Sequence, residues 1–203
     1  MKCCYRLSRY LAGFIVGMFW GLKVAGMENL PQVGGAIIAS NHRSYLDPPV
    51  LGAAISKEIY FLAKRELFLF KPFGWLISGL NTVPISRGKI DRKGLKGAIQ
   101  VLKSGNFLVV FPEGTRSRKN DFLEPKSGVG KLALEAGVPI VPAFIDNTRH
   151  LMRGLFRRKA ISVSFGECLD LPYLDSFSKN KESHQKIADE VMTRIKKLNP
   201  EAA

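Results

Sequence analysis

The sequence predicts an α/β fold, a single domain in which helices flank a mainly parallel, mixed sheet. Three observations support this prediction. The apolar runs at 36–40 and 107–111 contain no alternating polar residues, which is typical of strands buried on both faces of a sheet. Segments with helical periodicity separate such runs, and this alternation favours parallel pairing. The chain has 203 residues, of which 46% are hydrophobic, so it can form one substantial core.

The elements of the first half follow from the apolar pattern and from the glycines and prolines between the runs. We predict a strand at 36–40, a helix at about 48–56, a strand at 59–64, helical pieces within 66–80 and a strand at 82–86. Gly34 and Gly35 introduce the first strand, and Pro48 is tolerated in the first turn of the first helix.

The second half shows the same alternation. We predict a helix at 91–104, a strand at 107–111, a helix at about 126–136, strands at 138–145 and 160–166, and a helix at about 181–198. Gly105 and Gly137 close two of these helices, because glycine adopts the conformation that ends a helix. The last helix carries acidic residues early and basic residues late, as the helix dipole favours.

Residues 10–22 are apolar and follow the basic residues Lys2, Arg6 and Arg9. This run is too short to cross a bilayer, which requires about 20 apolar residues in a helix. A cleaved signal, a true span and an ordinary buried helix are alternatives. We favour an anchor that lies in the plane of the membrane surface. The predicted division is therefore a membrane anchor at 1–25 and one domain at 26–203.

The charge of the chain indicates a polyanionic partner. The sequence has 31 Lys and Arg against 17 Asp and Glu, a formal net charge of +14. Nucleic acid, an anionic membrane surface and a phosphorylated substrate would all satisfy such a charge. We find no nucleic-acid motif and no basic strand platform with aromatic residues, so we predict no nucleic-acid partner. The three cysteines form neither a disulfide framework nor a metal spacing, which indicates a reducing compartment.

His42 and Asp47 follow the first buried strand and could form an acid–base pair. In such a pair the carboxylate fixes the imidazole tautomer, and the other ring nitrogen takes a proton from a hydroxyl group. A regular helix would place the two residues about 140° apart around its axis. Contact therefore requires a turn, which the junction with Pro48 can provide. The alternative is that Asp47 only caps the following helix, and this stretch alone leaves both open.

A second polar stretch follows the strand at 107–111. It contains, in order, Glu113, Gly114, Thr115 and Arg116. Arginine and exposed amides beside a flexible glycine form a phosphate site, although a basic surface loop is the alternative. Arg87 ends another strand, and Lys126 precedes the next helix, so both would lie at the same edge of a parallel sheet. These positions predict an anion site next to His42.

Four ordered segments resemble the sequence blocks of the glycerolipid acyltransferases. "NHRSYLD" (41–47) resembles their His-x4-Asp block, and "FPEGTRS" (111–117) resembles their Glu-Gly-Thr-Arg block. "VPISR" (83–87) is similar to their arginine block, and "VPIVP" (138–142) to their apolar proline block. One departure is Asn81, where the family usually has glycine. The resemblance covers roughly residues 26–167 and implies a glycerol-3-phosphate acyltransferase-like fold, with 26–203 as the acyltransferase domain.

The resemblance implies a reaction and a role for each site residue. An acyl chain would pass from acyl-CoA or acyl-acyl carrier protein to the sn-2 hydroxyl of lysophosphatidic acid, giving phosphatidic acid without a covalent intermediate. His42 would be the base and Asp47 its orienting carboxylate, while Arg87 and Arg116 would bind the phosphate. The residues expected to shape or assist that site are Glu113, Gly114, Thr115 and Lys126. No cofactor and no metal are implied.

The remaining expectations concern partners and alternatives. The basic charge and the anchor predict an anionic membrane surface as a partner, with a peripheral or monotopic location at the cytoplasmic face of the cell membrane. An apolar tunnel built from 66–80 would set the preferred acyl-chain length. Two alternatives stay open: an acyltransferase that acts on another lysolipid or on glycerol 3-phosphate, and a non-catalytic, basic peripheral membrane-binding protein.

Overall fold

The computed structural model describes residues 3–69, 74, 77–86, 91–117, 121–149 and 160–200. Its helices are α1 (Cys3–Phe19), α2 (Asp47–Ala54), α3 (Arg92–Lys103), α4 (Gly128–Ala136), α5 (Leu171–Asp175) and α6 (Lys181–Lys197). Its strands are β1 (Leu22–Ala25), β2 (Ala36–Ser40), β3 (Ile59–Lys64), β4 (Thr82–Ile85), β5 (Phe107–Val110), β6 (Ile140–Asp146) and β7 (Ile161–Phe165). Short 3-10 turns at Met27–Asn29 and Arg65–Phe68 complete these elements.

The described strands form one sheet in the order β1-β7-β6-β2-β5-β3-β4. All neighbouring strands are parallel except β6 and β7. This arrangement confirms the predicted mainly parallel, mixed sheet. Because β2, β3, β4, β5 and β6 run in the same direction, their carboxyl ends meet at one edge. Residues that follow those ends can therefore share one site.

The core lies in two layers, one on each face of the sheet. Ile37 and Ala39 of β2 pack with residues of α3, α4 and α6. Ala36 and Ile38, which point to the other face, pack with residues of α1 and α2. Every residue of β2 is therefore buried, which is the physical reason for the unbroken apolar run in the sequence.

Two elements were not predicted. β1 is a four-residue strand that pairs in parallel with β7, and α5 is a five-residue helix. Both are too short to show a periodic pattern. β1 lies within residues 1–25, the stretch assigned to the membrane anchor. The sheet of the domain therefore begins before the predicted boundary at residue 25. Within 66–80, residues 70–73, 75 and 76 lie outside the described residues.

Helix α1 packs on the domain with one side and exposes the other. The buried side chains of Tyr5 and Val16 face the core beside α2. Arg9 Nη1 donates to the carbonyl oxygens of Ile55 and Ser56 at 3.1 and 2.9 Å. The exposed apolar side chains of the other face are Leu7, Tyr10, Leu11, Phe14, Ile15, Met18 and Phe19. Among the helices in the described ranges, none is long and apolar enough to cross a membrane.

Candidate active site

His42 and Asp47, the pair predicted at the end of β2, are in direct contact. His42 Nδ1 lies 2.8 Å from Asp47 Oδ2, and the Asp47 side chain is only 1% exposed. Because the carboxylate is an acceptor, a neutral His42 ring carries its proton on Nδ1. Nε2 then presents a lone pair, and no described residue hydrogen-bonds to it. The ring therefore has the tautomer that a general base requires.

The Asp47 carboxylate accepts three further hydrogen bonds. The backbone N–H groups of Arg43 and Ser44 donate to Oδ2 at 2.7 and 2.8 Å. Thr148 Oγ1 donates to Oδ1 at 2.6 Å. These donors stabilise the ionised carboxylate in its buried position, which would otherwise be costly. Thr148 is a residue that the sequence did not identify as part of the site.

The turn that joins the pair lies before Asp47 and not at its junction with Pro48. Residues 45–46 form the turn, and Asp47 is already the first residue of α2. Its carboxylate folds back onto the 42–44 segment and makes no capping bond to α2. The alternative interpretation of Asp47 as only a helix cap is therefore wrong.

Residues after three parallel strands surround the pair. β2 leads to His42, β5 leads to Phe111, and β6 leads to Thr148. The buried Asn41 side chain joins the ends of β2 and β6. Its Nδ2 donates to the Ile145 carbonyl at 2.9 Å, and its Oδ1 accepts from the Ile145 N–H at 2.8 Å. The central strands are thus fixed together where the site begins.

Two residues of the loop after β5 hold His42 in place. The His42 ring stacks on Phe111, with 3.9 Å between centroids and 15° between ring planes. The His42 backbone N–H donates to Glu113 Oε1 at 3.0 Å, and Leu123 N–H donates to Oε2 at 3.1 Å. Burial raises the pKa of Glu113, although these N–H groups act in the opposite direction. Glu113 thus joins the loop to the backbone of His42.

The same loop brings Arg116 to the site. Gly114 has a φ of 69°, in the left-handed region that favours glycine. A Cβ at this position would lie 3.1 to 3.3 Å from the Lys126 side chain. The Arg116 guanidinium lies over the Tyr45 ring, 3.4 Å from its centroid. Thr115 is exposed beside it, whereas Lys126 lies along Gly114 and is not among the residues that line the cavity at His42.

Arg87 lies outside the described residues, because the described segment that contains β4 ends at Ser86. Asn81, the departure from the family pattern, precedes β4 directly. It has a φ of 52°, and its Nδ2 donates to Glu58 Oε1 at 2.7 Å. Asparagine tolerates the left-handed conformation better than most residues with a side chain. Asn81 therefore adopts a backbone conformation that glycine also favours.

An apolar cavity of about 590 Å³ opens beside His42. Its walls come from α1, α2, β3 and the segment that precedes β4. Apolar wall residues include Ala12, Gly52, Phe61, Leu67, Ile77 and Leu80. The His42 ring, Thr115 and Arg116 line it as well. The cavity thus joins an apolar space, in which a hydrocarbon chain would fit, to a base and a cation.

The described residues offer no cluster of three or more His, Cys, Asp or Glu side chains that could hold a metal ion. Cys168 is partly buried, and desolvation raises the pKa of its thiol to about 11. A thiol with such a pKa is a poor nucleophile at neutral pH.

Known proteins are similar to this chain in sequence and in fold. The model of the family described as Acyltransferase matches residues 21–146. The chain is 31% identical to the 1-acyl-sn-glycerol-3-phosphate acyltransferase of Bacillus subtilis, covering 96% of each chain. It is also 31% identical to the protein of that name in Streptococcus pneumoniae, covering 95% of this chain and 73% of the relative. The crystal structure of the 1-acyl-sn-glycerophosphate acyltransferase PlsC from Thermotoga maritima is similar, with a TM-score of 0.73, 30% identity and coverage of 96% of this chain and 79% of that one.

Proposed function

Because the chain belongs to the acyltransferase family, we propose that it acylates the sn-2 hydroxyl of 1-acyl-glycerol 3-phosphate to give phosphatidic acid. The acyl donor is a thioester, either acyl-CoA or acyl-acyl carrier protein. The names of the bacterial relatives support this acceptor. The observation that carries the proposal is the position of His42, whose ring lines the apolar cavity while Nδ1 is held by a buried carboxylate.

In the proposed reaction, His42 Nε2 removes the proton from the acceptor hydroxyl. The hydroxyl oxygen attacks the thioester carbonyl and forms a tetrahedral oxyanion. This intermediate collapses, the carbon–sulfur bond breaks, and the thiolate takes the proton from His42. Asp47 stabilises the imidazolium between these steps. No covalent bond to the enzyme and no cofactor enters this sequence of steps.

Arg116 is the described cation best placed to bind the acceptor's phosphate. Its guanidinium lies over the Tyr45 ring and lines the cavity near His42. A guanidinium binds phosphate through two parallel hydrogen bonds, so it orients the glycerol as well as attracting it. Arg87 would add a second guanidinium.

The exposed face of α1 supports a location at the membrane surface. Leu7, Phe14 and Met18 are 68%, 65% and 59% exposed, whereas Ala12 on the same helix lines the cavity. An exposed apolar face on a helix with basic residues suits the interface of an anionic membrane. We propose that the enzyme is peripheral or monotopic and takes its lipid substrate from the cytoplasmic leaflet.

The activity is tested with the purified full chain in mixed micelles that contain 1-acyl-glycerol 3-phosphate and acyl-CoA. Thiol release and phosphatidic acid are measured together. We expect stoichiometric formation of both products, and a loss of at least about a hundredfold in kcat for His42→Ala, as expected for removal of a general base.

Other outcomes separate the alternatives. Thiol release with a different lysolipid or glycerol 3-phosphate, but not with 1-acyl-glycerol 3-phosphate, would show that the acceptor is wrong while the chemistry is right. An active His42→Ala variant would refute the role of His42. Failure with all acceptors, together with liposome binding, would favour a non-catalytic membrane protein.

Membrane binding is tested by flotation with liposomes that contain anionic lipid. Replacing Leu7 and Phe14 by glutamate should lower the bound fraction at least about tenfold, since each change moves a charge into the apolar interface. Val33→Glu is the control, because Val33 is 89% exposed and belongs to the loop before β2 and not to α1. Equal binding of all variants would contradict the assignment of α1.

A further inference from the structure

A second pocket, with a volume of about 400 Å³, lies next to the apolar cavity. Its described lining consists of Arg43, Thr115, Arg116, Ser117 and Arg149. Thr115 and Arg116 line both spaces, so the pocket adjoins the cavity at His42. Every described lining residue is polar, and three are arginines. The proposed mechanism uses only one of these arginines.

The fold determines where Arg149 lies. After β6, Asn147 takes a left-handed conformation with a φ of 64°, and its Nδ2 donates to the Ala160 carbonyl at 2.9 Å. The next residue, Thr148, donates to the buried Asp47 carboxylate. Arg149 follows Thr148 directly in the chain. The hydrogen bond of Thr148 therefore fixes the start of Arg149 relative to the carboxylate that contacts His42.

A second arginine of the pocket, Arg43, is held by contacts with aromatic rings and a carboxylate. Its side chain is 11% exposed, and its guanidinium lies 5.3 Å from the ring centroids of both Phe122 and Phe144. Its Nη1 lies 3.8 Å from Asp146 Oδ1. Aromatic rings and a carboxylate therefore fix this guanidinium, and its backbone N–H donates to Asp47.

The described lining of this pocket contains three arginines and no acidic residue. Two carboxylates outside the lining act on Arg43: Asp146 Oδ1 lies 3.8 Å from its Nη1, and the charge of Glu113 interacts with it as well. Arg149 makes no ion pair with any residue that the structure describes. Bringing like charges together costs free energy, and a bound anion would offset that cost.

We propose that this pocket binds a phosphate group of a substrate and that Arg149 is a substrate-binding residue. The inference rests on the proposed function, in which the acceptor carries a glycerol phosphate and a CoA donor carries phosphates of its own. Three arginines in one lining can donate several hydrogen bonds to the oxygens of a phosphate. The hydroxyl of Thr115 can donate a further hydrogen bond, because it lines the same space.

Steady-state kinetics of Arg149→Ala test the assignment. We expect the KM for one substrate to rise about tenfold or more while kcat changes much less, which is the pattern for lost binding in both ground and transition states. Lys186→Ala is the control, because Lys186 is an exposed residue of α6 that pairs with Glu182. Values for Arg149→Ala equal to those of this control would overturn the proposal.

A comparison of two acyl donors shows whether the pocket binds a phosphate of the donor or of the acceptor. An acyl thioester of N-acetylcysteamine carries no phosphate, so it is compared with acyl-CoA. If the pocket binds the donor, Arg149→Ala loses activity with acyl-CoA only. If it binds the acceptor, the loss is the same with both donors and the KM for lysophosphatidic acid rises. Either result supports a phosphate site at Arg149.

A binding measurement separates this inference from the proposed function. Phenylglyoxal modifies accessible arginines, and peptide mass spectrometry reports the modification of Arg149 with and without CoA or lysophosphatidic acid. Protection by either compound supports the pocket, even if the wild-type enzyme makes no phosphatidic acid. Normal turnover with no protection and unchanged KM values would overturn the inference and leave the proposed function intact.

Discussion

Removal of the hydrogen bond from Thr148 to Asp47 should lower both the stability and the activity of the protein. Thr148→Val keeps the shape of the side chain and removes the hydroxyl. Oδ1 of the buried carboxylate then loses the donor at 2.6 Å, whereas Oδ2 keeps its three donors. A hydrogen bond to a charged group contributes about 1.5–3 kcal/mol, so the variant should lose this amount of unfolding free energy. For a chain of this size, that corresponds to a decrease in Tm of about 3–12 °C.

The free energy of the same hydrogen bond sets an upper limit on the loss of kcat. In the proposed reaction Asp47 acts on the substrate only through His42, so at most the whole of that free energy is lost in the transition state. We therefore expect kcat to fall by up to about 10- to 150-fold, with little change in the KM for either substrate. The assay is thiol release in mixed micelles, combined with a thermal unfolding scan of the same preparation.

Thr148→Ser is the matched control, because serine keeps the hydroxyl and removes only a methyl group. Its kcat should stay within about threefold of wild type, since the donor to Oδ1 is retained. A wild-type Tm and kcat in Thr148→Val would refute the reasoning. Equal impairment of the serine and valine variants would show that packing, and not the hydrogen bond, matters at this position.

Three further changes give expected results. Gly114→Ala places a side chain at a φ of 69° and against Lys126. This variant should lose about 1–3 kcal/mol of unfolding free energy and have a lower kcat/KM. An unchanged Tm would contradict this expectation. Gly52→Phe should shift the rate profile toward shorter acyl donors, because Gly52 lines the cavity and a Cβ there meets nothing within 4 Å; an unchanged profile would argue against a chain site. The N–H groups of Gly94 and Ser86 hold the pKa of Asp91 at about 2, below its ordinary 3.8. Stability from this group is therefore present above pH 3.8 and lost as pH falls toward 2, so Asp91→Asn should flatten Tm against pH over that range, and an unaltered slope would disprove the assignment.

Sequence reasoning predicted the local parts of the fold well. The buried strands β2 and β5, the partly buried strand β3 and the amphipathic helices α3 and α6 match their predictions closely, because each element shows its burial in its own apolar spacing. β1 and α5 were missed because four or five residues do not define a period. β1 is a strand only because β7 lies beside it, and that neighbour is far away in the chain.

The candidate site divides in the same way. His42 and Asp47 lie five residues apart, and Glu113, Gly114 and Arg116 follow one buried strand, so their grouping is visible in the sequence. Thr148 is 101 residues from Asp47, and nothing in its own segment marks it as a ligand of that carboxylate. In the sequence, nothing distinguishes Arg43 and Arg149 from other basic residues. The parallel order of β2, β5 and β6 brings them to one pocket with Arg116.

The sequence by itself thus determined the fold class, and it predicted the pairing of His42 with Asp47 and placed the proposed phosphate-binding residues in one loop, because residues close in the chain carry those features. The tertiary structure decided which loop orients Asp47, how α1 contributes a wall to the apolar cavity, and which cations face one another. Those features depend on contacts between strand ends and helices that are distant in the chain. Such contacts arise from the order of strands in the sheet, which no local pattern of residues encodes.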